Sequence, residues 1–312
     1  LKLRKKDLAT WDAIEILANY LQCSTREFGY AGLKDKNAMT VQCISVHRKF
    51  EEALKEFKHD NIKILETTYH NNKIKVGHLK GNKFFIRLKR VGLVEKRKIE
   101  EALGQIVTLG IPNYFGFQRF GIDGDNYKKG KEIIEGKLKE RNRNLKQMYI
   151  NAYQSYLFNS WLSKRIEISK LVDAFEPKEI YERLNLPLDI VKRMKKQKHP
   201  FKLMTGDLLS HYPYGKIFTI EDLETESQKF FERDRVPTGL LSGKRVKNSE
   251  GLAYEIEKEF EEKTGEDGAR RFAWIFPEEV ESNYKEEKNW MELQFYLPKG
   301  SYATEVIAEI IH

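Results

Sequence analysis

An α+β fold in two domains is what this sequence predicts, and three observations carry the prediction. At 312 residues the chain is longer than one hydrophobic core ordinarily organises, since single cores stop growing near about 250–300 residues. Apolar residues make up 40% of it and aromatics 12%, enough to fill buried cores. Helix-like and strand-like periodicities follow one another without a repeating unit, and several short strands come in succession, as in a sheet.

Taken in order, Thr10 can cap a helix in which Trp11, Ile14, Leu17 and Leu21 recur at helical spacing. After a turn at Gly29 and Gly32, residues 40–47 carry β-branched side chains with Gln42, Ile44 and Val46 on one face, the pattern of a strand. Strands are also expected over 62–68, 73–78 and 84–88, the last two separated by a turn at Gly81-Asn82. A helix over 96–108 shows Ile99, Leu103 and Ile106 on one face and ends at Gly110 and Pro112. A long aromatic helix is expected over 146–163. From about 165 to 275, charge runs alternate with turn-rich pieces, which marks a second domain. Met291, Leu293, Phe295 and Leu297 then alternate as a strand that rejoins the first sheet, before a final helix capped by Ser301. The expected organisation is a mixed α+β domain over 1–150 and 276–312, interrupted by an inserted domain over 151–275.

Lys and Arg number 56 against 47 Asp and Glu, a formal charge of +9 that attracts polyanions, nucleic acid first, or that serves solubility alone. Cys23 and Cys43 are the only cysteines, with no histidine spacing that would close a metal site, so a reducing compartment, the cytoplasm, is expected. No apolar run approaches the roughly 18 residues that cross a membrane, and the opening Leu1-Lys2-Leu3-Arg4-Lys5-Lys6-Asp7 lacks the apolar core of a signal peptide. With no methionine at position 1, the natural chain is expected to continue upstream of Leu1.

Four segments carry candidate chemistry. In Gly32-Leu33-Lys34-Asp35-Lys36-Asn37-Ala38, neighbouring lysines favour an ionised Asp35 and the glycine admits close approach of a ligand; a solvated surface triplet is the alternative. Pro112-Asn113-Tyr114-Phe115-Gly116-Phe117-Gln118-Arg119-Phe120-Gly121 interleaves aromatics, an amide and a guanidinium, the groups that stack on bases and read their edges, although Phe117 and Phe120 also suit a core. The third is Gly77-His78-Leu79-Lys80-Gly81-Asn82-Lys83-Phe84. In the fourth, Pro298-Lys299-Gly300-Ser301-Tyr302-Ala303-Thr304, a helix N-terminus beside Lys299 suits a phosphate or carboxylate.

Together these segments resemble the TruD pseudouridine synthases, with Ser155, Leu157-Phe158-Asn159 and Pro237-Thr238-Gly239 adding to the likeness in the same order along nearly the whole chain. The resemblance implies a pseudouridine synthase catalytic domain built on a mixed, largely antiparallel sheet, an inserted TRUD-type α/β domain, and uridine 13 of certain tRNAs as substrate. It places Asp35 at the catalytic aspartate and Asn113 and Tyr302 at substrate-contacting positions, with Phe115 as their neighbour. Members usually begin with a further strand that supplies a lysine and a phenylalanine to the site, and no match lies upstream of Lys2.

The implied reaction breaks N1–C1′ and joins C5 to C1′ without net redox change, so no cofactor is needed and no obligate protein partner is implied. The uridine must be flipped from its stack, at a cost of a few kcal/mol that stacking and phosphate contacts offset. Asp35 would act ionised, adding to C1′ or taking a proton from C2′. Arg119 is a candidate ion-pair partner or phosphate contact, Lys34 and Lys299 are candidate RNA contacts, and the basic run Lys192–Lys202 would clamp the tRNA body. Two other readings compete. A non-catalytic RNA-binding module would not require Asp35. A nucleotide hydrolase would use Gly239-Leu240-Leu241-Ser242-Gly243-Lys244-Arg245, which is one residue short of a P-loop and lacks its Ser or Thr.

Overall fold

A computed structural model describes residues 1–311, and the chain divides into two compact units, Leu1–Lys80 and Gly81–His312. In the first, β1 (Lys2–Lys6), α1 (Thr10–Tyr20), β2 (Gly29–Tyr30), β3 (Met39–Ser45), α2 (Glu51–Lys55) and β4 (Ile62–Glu66) form an antiparallel sheet of order β2-β3-β1-β4 under two helices. Strand alternation turns Leu3 and Lys5 of β1 inward, and α1 lays Ala13, Ile14, Leu17 and Ala18 into the core with Leu3, Ile44 and Ile62. Each such fully buried aliphatic side chain contributes about 1.5–3 kcal/mol.

Local signals misread this unit in three places. The charged segment Lys2–Lys6 conceals the central strand β1, because only two of its five side chains face the core. Residues 73–78 form no strand; the Ile74 amide bonds the Ser45 hydroxyl at 2.9 Å and the Gly77 amide bonds the Ala31 carbonyl at 2.8 Å. Thr10 does not cap α1. Ala9 precedes the helix, its amide bonding Asp12 Oδ2 at 2.9 Å, and the Thr10 hydroxyl is turned inward.

The second unit begins with β5 (Gly81–Lys89), α3 (Leu93–Leu109), β6 (Ile111–Pro112) and a 3-10 turn, Phe117–Phe120. Helices α4 (Asn126–Ile134), α5 (Arg143–Ala174), α6 (Pro177–Leu184) and α7 (Leu188–Lys195) follow. Next come β7 (Leu208–His211), β8 (Ile217–Thr219), α8 (Leu223–Phe231), β9 (Arg235–Leu241), α9 (Gly251–Glu257), β10 (Ala269–Phe272) and β11 (Trp274–Ile275). The chain closes with β12 (Glu278–Lys285), β13 (Trp290–Pro298) and α10 (Ala303–Ile311).

Three antiparallel sheets result, ordered β12-β13-β5, β10-β9-β7-β8 and β11-β6. β13 pairs with β5 along its whole length, from Trp290 opposite Lys89 to Pro298 opposite Gly81. Gly81 and Asn82 therefore lie in a strand and not in a turn, and Gly81 has no room for a side chain against Tyr296 and the Leu297 carbonyl. Helices α3 and α10 cover this sheet through Ile99, Leu103, Ile106, Val306 and Ile310. The 32-residue α5 runs through the other core, burying Phe158, Trp161 and Leu162 with Phe201, Phe230 and Trp274. Phe115, Phe120 and Tyr302 pack into that same core, so residues 158–276 share their interior with the Asn-Tyr-Phe-Gly segment. The consecutive strands β10 and β11 join the two systems, since β10 pairs with β9 and β11 with β6.

His199 sits in this core with its Nε2 2.9 Å from the Leu109 carbonyl, while Nδ1 accepts from the Phe201 amide at 3.0 Å, an arrangement that needs the neutral ring. Burial, only partly opposed by the Leu109 and Phe201 bonds, pushes its pKa from 6.5 to about 4. The unfolded chain therefore takes up this proton first. The contribution is fully present above about pH 6.5 and is lost as pH falls toward 4, up to about 3 kcal/mol. Urea titrations at pH 7 and pH 4 are expected to show a stability loss about 2–3 kcal/mol smaller in His199→Gln than in the unsubstituted chain. Equal losses would contradict this account of the ring.

Candidate active site

In the first unit, Asp35 is exposed on the turn between β2 and β3 and makes no ion pair among the described residues. What holds the turn lies beneath it. Lys5, on β1, is fully buried, and its ammonium donates to the carbonyls of Leu8 at 2.5 Å, Asp35 at 2.8 Å and Lys34 at 3.4 Å. Burial lowers the Lys5 pKa, opposed by the charges of Asp35 and Asp12. The buried Thr10 hydroxyl accepts from the Lys34 amide at 2.9 Å and donates to Gln42 Oε1 at 3.2 Å. Gln42 Nε2 and Thr40 Oγ1 are buried without partners. Lys34 is half-buried, its pKa lowered by burial against the pull of Asp35. The motif thus presents an open carboxylate on a turn tied from below at two consecutive residues, with a buried cation within electrostatic reach.

The second unit gathers Asn113, Phe115, Arg119 and Tyr302. Asn113 is buried beside β10; its amide donates to the Phe272 carbonyl at 2.9 Å, and its Oδ1 accepts from Arg271 at 2.9 Å. Phe115 is 9% exposed, edge-on to Phe158 and tilted against Tyr302 at a centroid distance of 6.0 Å. Asn159 of α5 clamps the Phe115 backbone from both sides, accepting from its amide at 2.9 Å and donating to its carbonyl at 3.0 Å. Arg119 is half-buried, its Nε donating to Ser155 at 3.0 Å. Phe117 is instead 65% exposed, and Phe120 packs edge-on against Tyr127. Gly116 lies close to Thr304, Gln118 and Tyr302, and a Cβ there would sit 2.7 Å from the Thr304 hydroxyl.

Arg271, which no local signal in the sequence marked, binds these pieces together. Its guanidinium lies 3.8 Å from the Phe115 ring centroid and donates to the carbonyls of Asn113 at 2.9 and 3.1 Å, Tyr114 at 3.3 Å and Gly300 at 2.7 Å. Lys299 is exposed in the turn before Tyr302. Ser301 does not cap α10: its hydroxyl is buried without a hydrogen-bond partner among the described residues.

Three of the six basic residues of the run 192–202 pair within their own unit, while Lys192, Lys196 and Lys198 are exposed. Lys202 is buried against Asp173 at 2.9 Å, Arg193 forms a two-bond pair with Glu224 at 2.6 and 2.7 Å, and Lys195 lies 3.7 Å from Glu176. In the P-loop-like stretch, 239–241 belong to β9 and the next helix begins only at Gly251, so its amides frame no helix N-terminus. Among the described residues no helix is long and apolar enough to cross a membrane.

The fold is shared with a Methanosarcina mazei protein described as a candidate tRNA pseudouridine synthase D (TruD), at a TM-score of 0.64 and 21% identity over 99% of this chain and 86% of that one. The family model for tRNA pseudouridine synthase D (TruD) matches residues 1–142 and 138–310. A Nitratiruptor tRNA pseudouridine synthase D is 55% identical over 100% of this chain and 87% of its own length, and the Sulfurimonas denitrificans protein of that name is 52% identical over 99% and 86%. The chain belongs to the tRNA pseudouridine synthase D (TruD) family, a family of isomerases.

Replacing Lys5 with Met leaves three carbonyls without their shared donor, at a cost of about 1–3 kcal/mol each where burial is complete. Amide exchange at Lys34 is expected to accelerate about tenfold or more in Lys5→Met and to stay unchanged in Arg4→Met, whose side chain is exposed on the same strand. Unchanged protection in Lys5→Met would mean that the ammonium does not hold this turn.

Proposed function

We propose that this protein isomerises uridine to pseudouridine at position 13 of tRNA, with Asp35 as its ionised catalytic carboxylate and without a cofactor. The observation that carries the reading is Asp35 itself, exposed and unpaired among the described residues, on a turn locked by Lys5 and Thr10. A carboxylate committed to a structural ion pair would have to surrender that pair to react; this one has none to surrender. The charge of Asp35 in turn opposes the burial that lowers the pKa values of Lys5 and Lys34.

In this reading the uridine is drawn out of its stack so that C1′ becomes accessible, and aromatic and phosphate contacts offset the few kcal/mol this costs. Tyr302, half-buried beside Phe115, offers a ring to the base. Asn113 retains one amide hydrogen and one oxygen lone pair for an edge or ribose contact once its two protein bonds are counted. Lys34 and Lys299 add RNA contacts. Residues 151–275 are the insertion that separates β5 from its partner β13, and the protein works in the cytoplasm. The carboxylate adds to C1′ or removes the C2′ proton; both routes require Asp35 ionised.

Asp35→Asn preserves the shape of the side chain and removes its charge. Tritium release from C5-labelled tRNA is expected to fall by at least about a thousandfold, a loss of some 4 kcal/mol in transition-state stabilisation, with tRNA affinity retained. Normal turnover in a folded, tRNA-binding Asp35→Asn protein would rule out this role. Pseudouridine mapped away from position 13 would correct the site of action alone.

A further inference from the structure

We propose that Arg119 and Arg271 form a built phosphate subsite that takes one phosphodiester of the RNA beside Phe115 and Tyr302. The inference deepens the tRNA reading above and rests on it.

The two guanidinium groups lie over one ring, Arg271 at 3.8 Å and Arg119 at 5.5 Å from the Phe115 centroid. Among the described residues, neither has a carboxylate within ion-pair distance. The neighbouring residue shows how unusual this is. Arg270, one position earlier on β10, has a buried side chain and is matched by Glu257 at 2.7 Å. Arg165 is matched by Asp207 through two bonds of 2.6 and 2.8 Å, and Arg193 by Glu224. Arg271 donates only to carbonyl oxygens and to Asn113 Oδ1, dipoles that orient a cation without cancelling its charge.

The electrostatic situation is unfavourable as it stands. Burial and, in smaller part, the neighbouring Arg119 charge lower the Arg271 pKa to about 10, opposed by Tyr302 and Glu305. Glu305 is the acidic side chain that faces this group, and it stands beyond ion-pair distance. An anion bridging the two guanidiniums removes the repulsion.

Geometry leaves room for one. Both arginines remain partly exposed, and the Arg271 Nη1 bond to Gly300 lies at the surface. Arg119 commits Nε to Ser155, and its two Nη groups have no protein acceptor among the described residues. Planar guanidinium forks suit the tetrahedral face of a phosphate. Because Arg271 also ties Asn113, Tyr114 and Gly300, filling the site would fix the segments that carry Asn113 and Tyr302 at the moment RNA binds.

The test is the salt dependence of equilibrium binding of the full chain to an unmodified tRNA transcript. One lost phosphate contact is expected to lower the slope of log Kd against log salt by about 0.7–0.9. Arg119→Gln should show that reduction and Arg119→Lys should not, because the lysine keeps the charge. An unchanged slope in Arg119→Gln overturns the proposal. A second arm needs no substitution in the protein: transcripts carrying a single methylphosphonate at successive positions around the target uridine. One position should weaken the unsubstituted protein to the level of Arg119→Gln and leave Arg119→Gln itself unaffected; additive losses at every position overturn the subsite. Pseudouridine formation is scored separately on the same transcripts. A chain that binds with the predicted slope change yet makes no pseudouridine would refute the activity and uphold the subsite.

Discussion

A cation held by backbone carbonyls, fully buried in one case and half-buried in the other, underlies the candidate segment of each unit. Lys5 reaches up from β1 to the carbonyls of Leu8, Lys34 and Asp35, and Arg271 reaches from β10 to those of Asn113, Tyr114 and Gly300. Withdrawing a cation from water is expensive, and carbonyl dipoles recover part of that cost only when several converge. The turns that supply them are therefore pinned at the residues the proposed reaction uses. In both units the charge is left available to an anionic neighbour, the Asp35 carboxylate in one case and an RNA phosphate in the other.

Around Arg271 the family's scattered motif residues acquire individual reasons. Asn159 clamps the Phe115 backbone, Ser155 holds Arg119, and Thr238 accepts from Arg270 at 3.2 Å while donating to the Leu208 carbonyl at 2.8 Å. Gly239 leaves space for the rings of Phe158 and Trp161, which form the floor under Phe115. Most of these residues touch no substrate in the proposed reaction. They are needed because a buried amide, a buried guanidinium and a buried ring must all be satisfied at once within one core.

The electrostatics follow the same economy of partners. The +9 charge of the chain is not a uniform coat: in the run over 192–202, Arg193, Lys195 and Lys202 pair with Glu224, Glu176 and Asp173, while Lys192, Lys196 and Lys198 are exposed. Arg119 and Arg271, separated by some 150 positions in the chain, have no acidic partner within ion-pair distance among the described residues and lie over the same ring.

Much was legible from the residues alone. Periodicity located α1, β3, α3 and β13, because an element with one apolar face displays its repeat whatever it packs against. The Asp35 segment stood out through the family resemblance, since its charges alone equally suit a solvated turn, while the aromatics and amide of the Asn113 segment suit a nucleotide. Three things were beyond it. Strand β1 reads as a surface run because lysine and arginine dominate it, and only the pairing with β3 and β4 shows that Lys5 points inward. The partnership of β13 with β5, some two hundred residues away, is a matter of register that no local window contains. Arg271 looks like any charged residue following Arg270, yet strand alternation sends one to Glu257 and the other to Phe115. Local spacing is a short-range property and located the elements, and short motifs carried the family resemblance; which charges are buried, and against what, is decided only when distant segments meet.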